Sequence, residues 1–288
     1  MSINEHVTEG CDQYAVFGNP IQHSKSPFIH TYFAKVTQQS MSYGLEEPEV
    51  DSFEEAASAF FANESVKGAN VTLPFKRDAF EFADRLTERA QLANAVNTLI
   101  KQPNGEILGD TTDGKGLVYD LTLQFGDLSG QSLLLIGAGG AARGVIEPLF
   151  SAGISRIHVT NRTIEKANFL VEQFSQFGEL SASALDHLPN QGFDIVVNST
   201  SSSMTKELPA ITETIFDNAS IAYDMFYSNE ITTFNEWAKN RNSSIKTSDG
   251  LGMLVGQALE SFRLWRGVTP TESEVLALIN ELKAQLSN

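Results

Sequence analysis

The stretch Leu133-Leu134-Leu135-Ile136-Gly137-Ala138-Gly139-Gly140-Ala141-Ala142-Arg143 decides how this chain of 288 residues folds. Its four leading apolar residues read as a strand. A G-x-G-x-x-A spacing follows at once, and an apolar helical run comes after it. Gly137 permits a tight turn, Gly139 lets the backbone approach an anion, and the small Ala142 lets the helix close on the strand. The free amides of the first helical turn then face a pyrophosphate. A tight structural turn would use the same glycines, so the strand–turn–helix context carries the dinucleotide reading. Pro148 lies inside the expected helix and is expected to kink or shorten it.

Working outward, the next strand, Arg156–Thr160, runs into Asn161-Arg162-Thr163, with Lys166 one turn on. A site for NAD usually offers a carboxylate here to the ribose hydroxyls. A carboxylate would repel a 2′-phosphate, whereas Arg162 and Lys166 would attract one, and a guanidinium can also stack on adenine. Cations at a helix start oppose the helix dipole, which favours a bound anion over two merely solvated side chains. The charge logic therefore points to NADP.

Short apolar strands alternate with helical patterns along the rest of the chain. Strands are expected at Tyr14–Phe17, Ser42–Leu45, Ala69–Val71, Ala95–Ile100, Leu133–Ile136, Ile157–Thr160, Ile195–Asn198 and Ile221–Tyr223, and helices at Pro27–Val36, Phe53–Phe61 and Ile164–Phe174. Such alternation argues for α/β layers with largely parallel sheets. The polar, turn-rich segment 125–131 marks the start of a fresh α/β unit. After Ser248-Asp249-Gly250 the chain turns helical to its end, with Leu254, Ala258, Phe262 and Trp265 on one face. Thr271 and Glu274 have the spacing of a capping box for a last helix.

Composition limits the partners. Lys and Arg number 20 against 36 Asp and Glu, for a net charge of −16, so nucleic acid and anionic lipid are poor partners. An anionic ligand must be held by a local cluster of donors. Hydrophobic residues make up 41%, enough for real cores. A single cysteine, Cys11, excludes an intrachain disulfide and suits a reducing compartment; it reads as incidental, in a polar leader. Met1–Gly10 has neither the charge nor the apolar run of a signal peptide, and the most apolar region contains Arg143 and Glu147, so a cytoplasmic protein is expected.

The first half offers polar residues at strand ends. Gly18-Asn19-Pro20-Ile21-Gln22-His23-Ser24-Lys25-Ser26-Pro27 reads as a helix start, with Ser26 capping and Pro27 first in the helix. Two hydroxyls beside a helix N-terminus would also suit a carboxylate, although local chemistry alone favours the helix start. Asn70-Val71-Thr72-Leu73-Pro74-Phe75-Lys76 delivers Asn70 and Thr72 to a strand end and Lys76 just beyond. Such a lysine is ordinarily a surface residue, but beside a carboxylate a lysine can be a general acid/base. Asn97 interrupts an apolar run and would need buried partners. Asp113, in Thr111-Thr112-Asp113-Gly114, could simply cap the next helix.

Taken together, these pieces resemble the shikimate dehydrogenase family. Its opening G-x-P-I-x-H-S-x-S-P is matched by Gly18–Pro27, its N-V-T-x-P-x-K by Asn70–Lys76, and its N-A-V-N-T by Asn94–Thr98. Its G-x-G-G-A-x-R is matched by Gly137–Arg143, its N-R-T by Asn161–Thr163, its Y-D-x-x-Y by Tyr223–Tyr227, and its D-G-x-G-M-L-x-x-Q by Asp249–Gln257. The matches run in family order over nearly the whole chain. The resemblance implies an α/β fold: an N-terminal substrate domain (1–113 and 251–288), to which the C-terminal helices return, and a doubly wound Rossmann NADP domain (114–250), with the active site in the cleft. It implies Ser24 and Ser26 on the substrate carboxylate, and Thr72, Asn97, Tyr227 and Gln257 on the carboxylate or ring hydroxyls. Lys76 and Asp113 become the catalytic pair. Gly137, Ala138, Gly139, Gly140, Ala141, Asn161, Arg162, Thr163 and Lys166 become cofactor residues, and Met225, Gly250 and Glu88 lie toward the nicotinamide.

The implied reaction is reversible reduction of 3-dehydroshikimate to shikimate, with hydride from NADPH and a proton from Lys76, and with no metal required. Three departures from the family pattern stand out: Thr111 where Asn is usual, Thr31 where Asn often follows the histidine, and Lys166 where Arg is common. The last gives up a bidentate fork, so NADP preference is expected to soften. Three rivals stay open: a quinate/shikimate dehydrogenase using NAD, a non-catalytic shikimate sensor, and another Rossmann enzyme such as a folate dehydrogenase. Monomer and homodimer are both compatible with the sequence.

Overall fold

A computed structural model of the chain describes residues 11–286, so the leader reading of Met1–Gly10 lies outside the described residues. Two compact units emerge, one from Thr112 back with Ala258–Leu278, the other from Asp113–Gln257 with the chain after Leu278. Among the described residues no helix is long and apolar enough to cross a membrane.

The first unit runs β1 (Asp12–Phe17), α1 (Ser26–Val36), β2 (Met41–Glu46), α2 (Phe53–Phe61), β3 (Val66–Val71), α3 (Lys76–Phe82), β4 (Arg85–Leu86), α4 (Glu88–Ala93), β5 (Thr98–Lys101) and β6 (Ile107–Asp110). Its six-stranded sheet has the order β2-β1-β3-β5-β6-β4. The β2, β1 and β3 strands are parallel, whereas β5 pairs antiparallel with both β3 and β6. The β5–β6 hairpin turns at Asn104-Gly105, where the Gly105 amide donates to the Gln102 carbonyl at 2.9 Å. One face packs on an aromatic core of Phe17, Phe53, Phe61 and Phe75. The Phe17 and Phe53 rings meet edge to face at 5.6 Å, a favoured arrangement for aromatic quadrupoles.

The second unit runs α5 (Asp113–Phe125), β7 (Ser132–Ile136), α6 (Gly140–Ser151), β8 (Arg156–Asn161), α7 (Ile164–Phe174), β9 (Glu179–Ala184), β10 (Ile195–Asn198), β11 (Ile221–Asp224), α8 (Thr233–Arg241) and β12 (Lys246–Asp249). Its sheet, β12-β11-β10-β7-β8-β9, is parallel throughout. The chain starts at the centre with β7, winds outward through β8 and β9, then returns to β10 and winds the other way. That reversal beside β7 is the switch point at which doubly wound folds bind ligands. The central strands Leu133–Ile136 and Ile195–Asn198 are fully buried, as strands covered on both faces must be.

Two helices end the chain, α9 (Leu251–Arg266) and α10 (Glu272–Leu286). The second half of α9 belongs to the first unit: the Trp265 indole donates to the Leu99 carbonyl at 3.1 Å, and Arg266 pairs with Asp12. The Thr271 amide donates to Glu274 Oε2 at 2.8 Å and the Glu274 amide to Thr271 Oγ1 at 3.4 Å, the reciprocal bonds of a capping box.

Three expectations need correction. Cys11 is not in a polar leader but is buried, immediately before β1. The strand expected at Ala95–Ile100 starts only at Thr98, because Asn94 takes a left-handed conformation (φ 53°) to end α4 and Val96 donates to the Lys76 carbonyl instead of to a strand. Pro148 does not shorten α6, which continues to Ser151.

Candidate active site

The residues expected on the substrate side stand where β1 and β3, parallel neighbours, come to an end together. Phe17 is in register with Val71. Beyond that pair the Thr72 amide donates to the Phe17 carbonyl at 2.8 Å and the Asn19 amide to the Leu73 carbonyl at 3.2 Å. Two motifs far apart in sequence are thus stitched into one surface. Phe75, fully buried, anchors the turn, and Lys76 opens α3 with its backbone carbonyl fixed by the Val96 amide at 3.0 Å. Its side chain is half-buried.

The two serines exchange the roles expected of them. Lys25 occupies the cap position of α1 and Ser26 lies inside the helix, so Ser26 is not the N-cap. It is Ser24 whose hydroxyl accepts a helix amide, that of Ser26, at 3.3 Å. Ser26 is buried.

Asn97 is 3% exposed and hydrogen-bonded at both side-chain atoms. Its side-chain oxygen accepts from the Thr112 amide at 2.9 Å and the Thr98 hydroxyl at 2.8 Å, and its Nδ2 donates to Thr112 Oγ1 at 3.0 Å. Behind it sits Asn70, whose Nδ2 donates to the Asn97 carbonyl at 3.1 Å and also faces the hydroxyls of Thr98 and Ser261. The Asn70 oxygen accepts from Tyr43 at 2.7 Å and lies 3.1 Å from His30 Nε2. An acceptor at Asn70 makes Nε2 the protonated nitrogen of His30. The Nδ1 atom is buried without a hydrogen-bond partner among the described residues. Burial lowers the His30 pKa to about 3, opposed in part by the Asn70 bond. Tyr43 and Ser261 escape a reading of the sequence: an isolated hydroxyl on a strand or helix carries no spacing signal.

In the second unit the glycine loop has the geometry its motif requires. Gly137 has φ +110°, and a Cβ there would meet Ser199 Oγ at 2.5 Å. Gly139 and Gly140 face open space, with no atom of the described residues within 4 Å of an added Cβ. The cap of α6 has no side-chain bond and its first turn no acidic residue, again among the described residues. Its first amides are therefore available to an external acceptor. Those features fit a dinucleotide pyrophosphate. At the end of β8 the Asn161 side chain donates to the Thr163 carbonyl at 2.8 Å, closing the turn that exposes Arg162, and Lys166 is exposed one turn into α7. Ser199 and Thr200, just past β10, also adjoin the Gly137 turn. Nothing in the sequence singles them out, because only the strand order sets β10 beside β7.

Met225 and Gly250 come together at the ends of β11 and β12. The Met225 amide donates to the Asn198 carbonyl at 2.9 Å, and a Cβ on Gly250 would collide with the Met225 carbonyl oxygen. Close backbone approach, not an unusual torsion, makes glycine necessary there. Tyr227 is half-buried, and burial together with the Asp249 charge pushes its phenol pKa up. Asp113 opens α5. Two turns further on, the fully buried Asp120 accepts from Tyr223 at 2.7 Å and Gln124 at 2.7 Å, which fixes α5 against β11; burial raises its carboxyl pKa. Gln257 donates to the Leu254 carbonyl at 2.9 Å on α9. The structure thus groups Ser24, Ser26, Thr72, Lys76, Asn97 and the exposed Glu88 in the first unit. Asp113, Tyr227, Gln257, Met225, Gly250 and the cofactor loops belong to the second.

Three family models match the chain: the shikimate dehydrogenase substrate binding domain over 16–99, shikimate / quinate 5-dehydrogenase over 121–218, and the shikimate 5′-dehydrogenase C-terminal domain over 250–278. Shikimate dehydrogenase (NADP(+)) of Pseudoalteromonas atlantica is 55% identical, covering 94% of this chain and 99% of its own length. Among solved structures, an Ael1 enzyme from Pseudomonas putida superposes with TM-score 0.89 at 42% identity, covering 94% of this chain and 98% of that one. Shikimate 5-dehydrogenase of Thermus thermophilus, solved in complex with NADP(H) and shikimate, has TM-score 0.81 at 30% identity, covering 94% of this chain and 99% of that one.

Proposed function

This chain belongs to the shikimate dehydrogenase family, and on that premise we propose the roles of its residues in the NADP-dependent interconversion of 3-dehydroshikimate and shikimate. It is an oxidoreductase acting on a CH–OH group, on the route to chorismate and the aromatic amino acids. When bound, NADPH supplies the hydride. The protein's part is to bind, orient and move a proton.

Ser24 and Ser26 bind the substrate carboxylate, and Thr72, Asn97, Tyr227 and Gln257 bind its carboxylate or ring hydroxyls, so that affinity is spent on orientation. Lys76 Nζ gives its proton to the oxygen that becomes the 3-hydroxyl, and takes it back in the oxidation direction; Asp113 is its charge partner. The amides at Gly137–Ala141 receive the pyrophosphate, with Asn161, Arg162, Thr163 and Lys166 on the adenosine side. Met225 and Gly250 shape the nicotinamide end, and Glu88 adjoins it. The observation that carries this assignment is the pair of backbone bonds joining the ends of β1 and β3, Thr72 to Phe17 and Asn19 to Leu73, which places the serine segment beside the Lys76 segment.

Steady-state rates with shikimate and quinate, each with NADP and with NAD, test the assignment of substrate and cofactor. The expected order puts shikimate with NADP highest in kcat/KM. A higher value for quinate with NAD would overturn it in favour of the rival dehydrogenase.

A further inference from the structure

The Tyr223–Tyr227 motif lends Met225 and Tyr227 to the proposed site and leaves its second residue, Asp224, without a part. Asp224 ends β11 fully buried, in register with Asn198 at the end of β10. Its Oδ2 accepts from the Ser203 hydroxyl at 2.5 Å, and its Oδ1 from Asn198 Nδ2 at 3.1 Å and the Phe226 amide at 3.2 Å. The orientation of Asn198 follows from its other side-chain atom. Its Oδ1 faces the Thr200 amide at 3.1 Å, a group that only donates, so Nδ2 is the atom turned to Asp224. Three donors thus converge on one carboxylate, and a carboxamide cannot accept at both of its terminal atoms.

These bonds join segments that the fold brings together only at the switch point. Ser203 lies in the short 3₁₀ turn Ser202–Thr205 that follows β10. The same stretch passes the glycine loop: a Cβ on Gly137 would meet Ser199 Oγ at 2.5 Å and the Thr200 methyl at 3.1 Å. Asn198 fixes Thr200, whose hydroxyl donates to its Oδ1 at 2.7 Å. On the other side the Met225 amide donates to the Asn198 carbonyl at 2.9 Å, and the Gly250 amide to the Phe226 carbonyl at 3.1 Å. Glycine loop, hydroxyl-rich turn and Met225–Gly250 pair therefore meet around Asp224 and Asn198, all within the second unit. Burying a carboxylate costs free energy that its hydrogen bonds only offset, so stability alone is a poor reason for it.

We propose that Asp224 is a positioning residue for the cofactor, its carboxylate setting the turn after β10 and the Met225 backbone beside the glycine loop before NADP arrives. This role rests on the assignment of the Gly137–Ala141 amides and Met225 to the cofactor. With the turn already held, its ordering is part of folding and is not charged against binding.

The test is the dissociation constant of NADPH and of NADH on the free enzyme, read by nucleotide fluorescence. Ser203→Ala deletes one tie to the carboxylate and is expected to weaken both cofactors by the same factor, roughly three- to tenfold. KM for shikimate should stay within about twofold of wild type. Asp224→Ala, which frees the turn and the Phe226 amide together, should weaken both at least about tenfold, and adding Ser203→Ala to it should cost nothing more. If Asp224→Ala does not fold, Ser203→Ala alone decides. Unchanged dissociation constants in Ser203→Ala, even with a lower urea midpoint, overturn the role and leave Asp224 a structural residue. A loss for NADPH without one for NADH, or an equal rise in KM for shikimate, overturns it as well. Gly139→Asp sets a like charge in the open space of the glycine loop and should weaken both cofactors about a hundredfold or more. Unchanged binding in that variant overturns instead the cofactor-loop assignment on which the role rests.

Discussion

Lys166 offers a point charge where the family commonly places a guanidinium fork, and in the proposed cofactor site Arg162, in the turn just before α7, is the stronger cation for a 2′-phosphate. Arg162→Ala is expected to raise KM for NADP roughly ten- to a hundredfold, the range for a charged hydrogen bond, and to leave KM for NAD unchanged. Equal effects on the two cofactors, measured by steady-state kinetics, would remove Arg162 from the 2′-phosphate site. Gly250 makes a different kind of prediction. Any Cβ there collides with the Met225 carbonyl oxygen, so Gly250→Ala must displace the end of β11 or β12. Overpacking of this sort costs about 1–3 kcal/mol, readable as a lower urea midpoint. An unchanged midpoint and unchanged kcat would mean that the backbone approach is easily relieved. Both residues can be chosen from sequence by resemblance, but the collision at Gly250 cannot, since its partner lies on a neighbouring strand.

At the scale of elements, legibility follows burial. The central strands β7 and β10 are buried on both faces and write themselves as continuous apolar runs, so the pattern places them to within a residue. The strands β9 (Glu-Leu-Ser-Ala-Ser-Ala) and β12 (Lys-Thr-Ser-Asp) lie at the two edges of the same sheet, carry polar sequences, and give no such pattern. Edge strands are half-solvated and keep polar residues that discourage further pairing. The hairpin of β5 and β6 has a readable signal in Asn104-Gly105 that the α/β expectation obscures. By contrast the capping box at Thr271 and Glu274 is legible from four residues, because its chemistry is local. Thr271→Ala should lower stability by about 0.5–2 kcal/mol, seen in urea unfolding, without changing kcat. No loss would mean that α10 is held by packing alone.

Over the whole molecule, the buried polar network around Asn70 couples stability to pH. His30 is neutral in the fold, its pKa lowered to about 3 by burial, while an unfolded histidine titrates near 6.5. Between those values the unfolded chain takes up a proton that the folded chain refuses. Stability therefore falls as pH drops from about 6.5 toward 3, with a contribution of up to about 1.4 kcal/mol per pH unit from this one residue. His158, pushed down to about 4 in the second unit by burial, acts in the same direction. His30→Asn should flatten the pH dependence of unfolding free energy between pH 4 and 6, and identical slopes for variant and wild type would show that His30 does not carry it. Here too the sequence stops short. It yields the motifs at strand ends, where ligands are met, but not the tyrosine, histidine and serine behind them, because a network gathered from β2, α1 and α9 exists only once those elements are packed.

The proposed proton transfer by Lys76 is the central step of this account. Single-turnover oxidation of NADPH by saturating 3-dehydroshikimate, followed by absorbance, isolates it from binding. Lys76→Ala is expected to react roughly 10²- to 10⁴-fold more slowly than the wild type, with shikimate affinity retained within about tenfold. A single-turnover rate close to that of the wild type would contradict Lys76 as the proton donor.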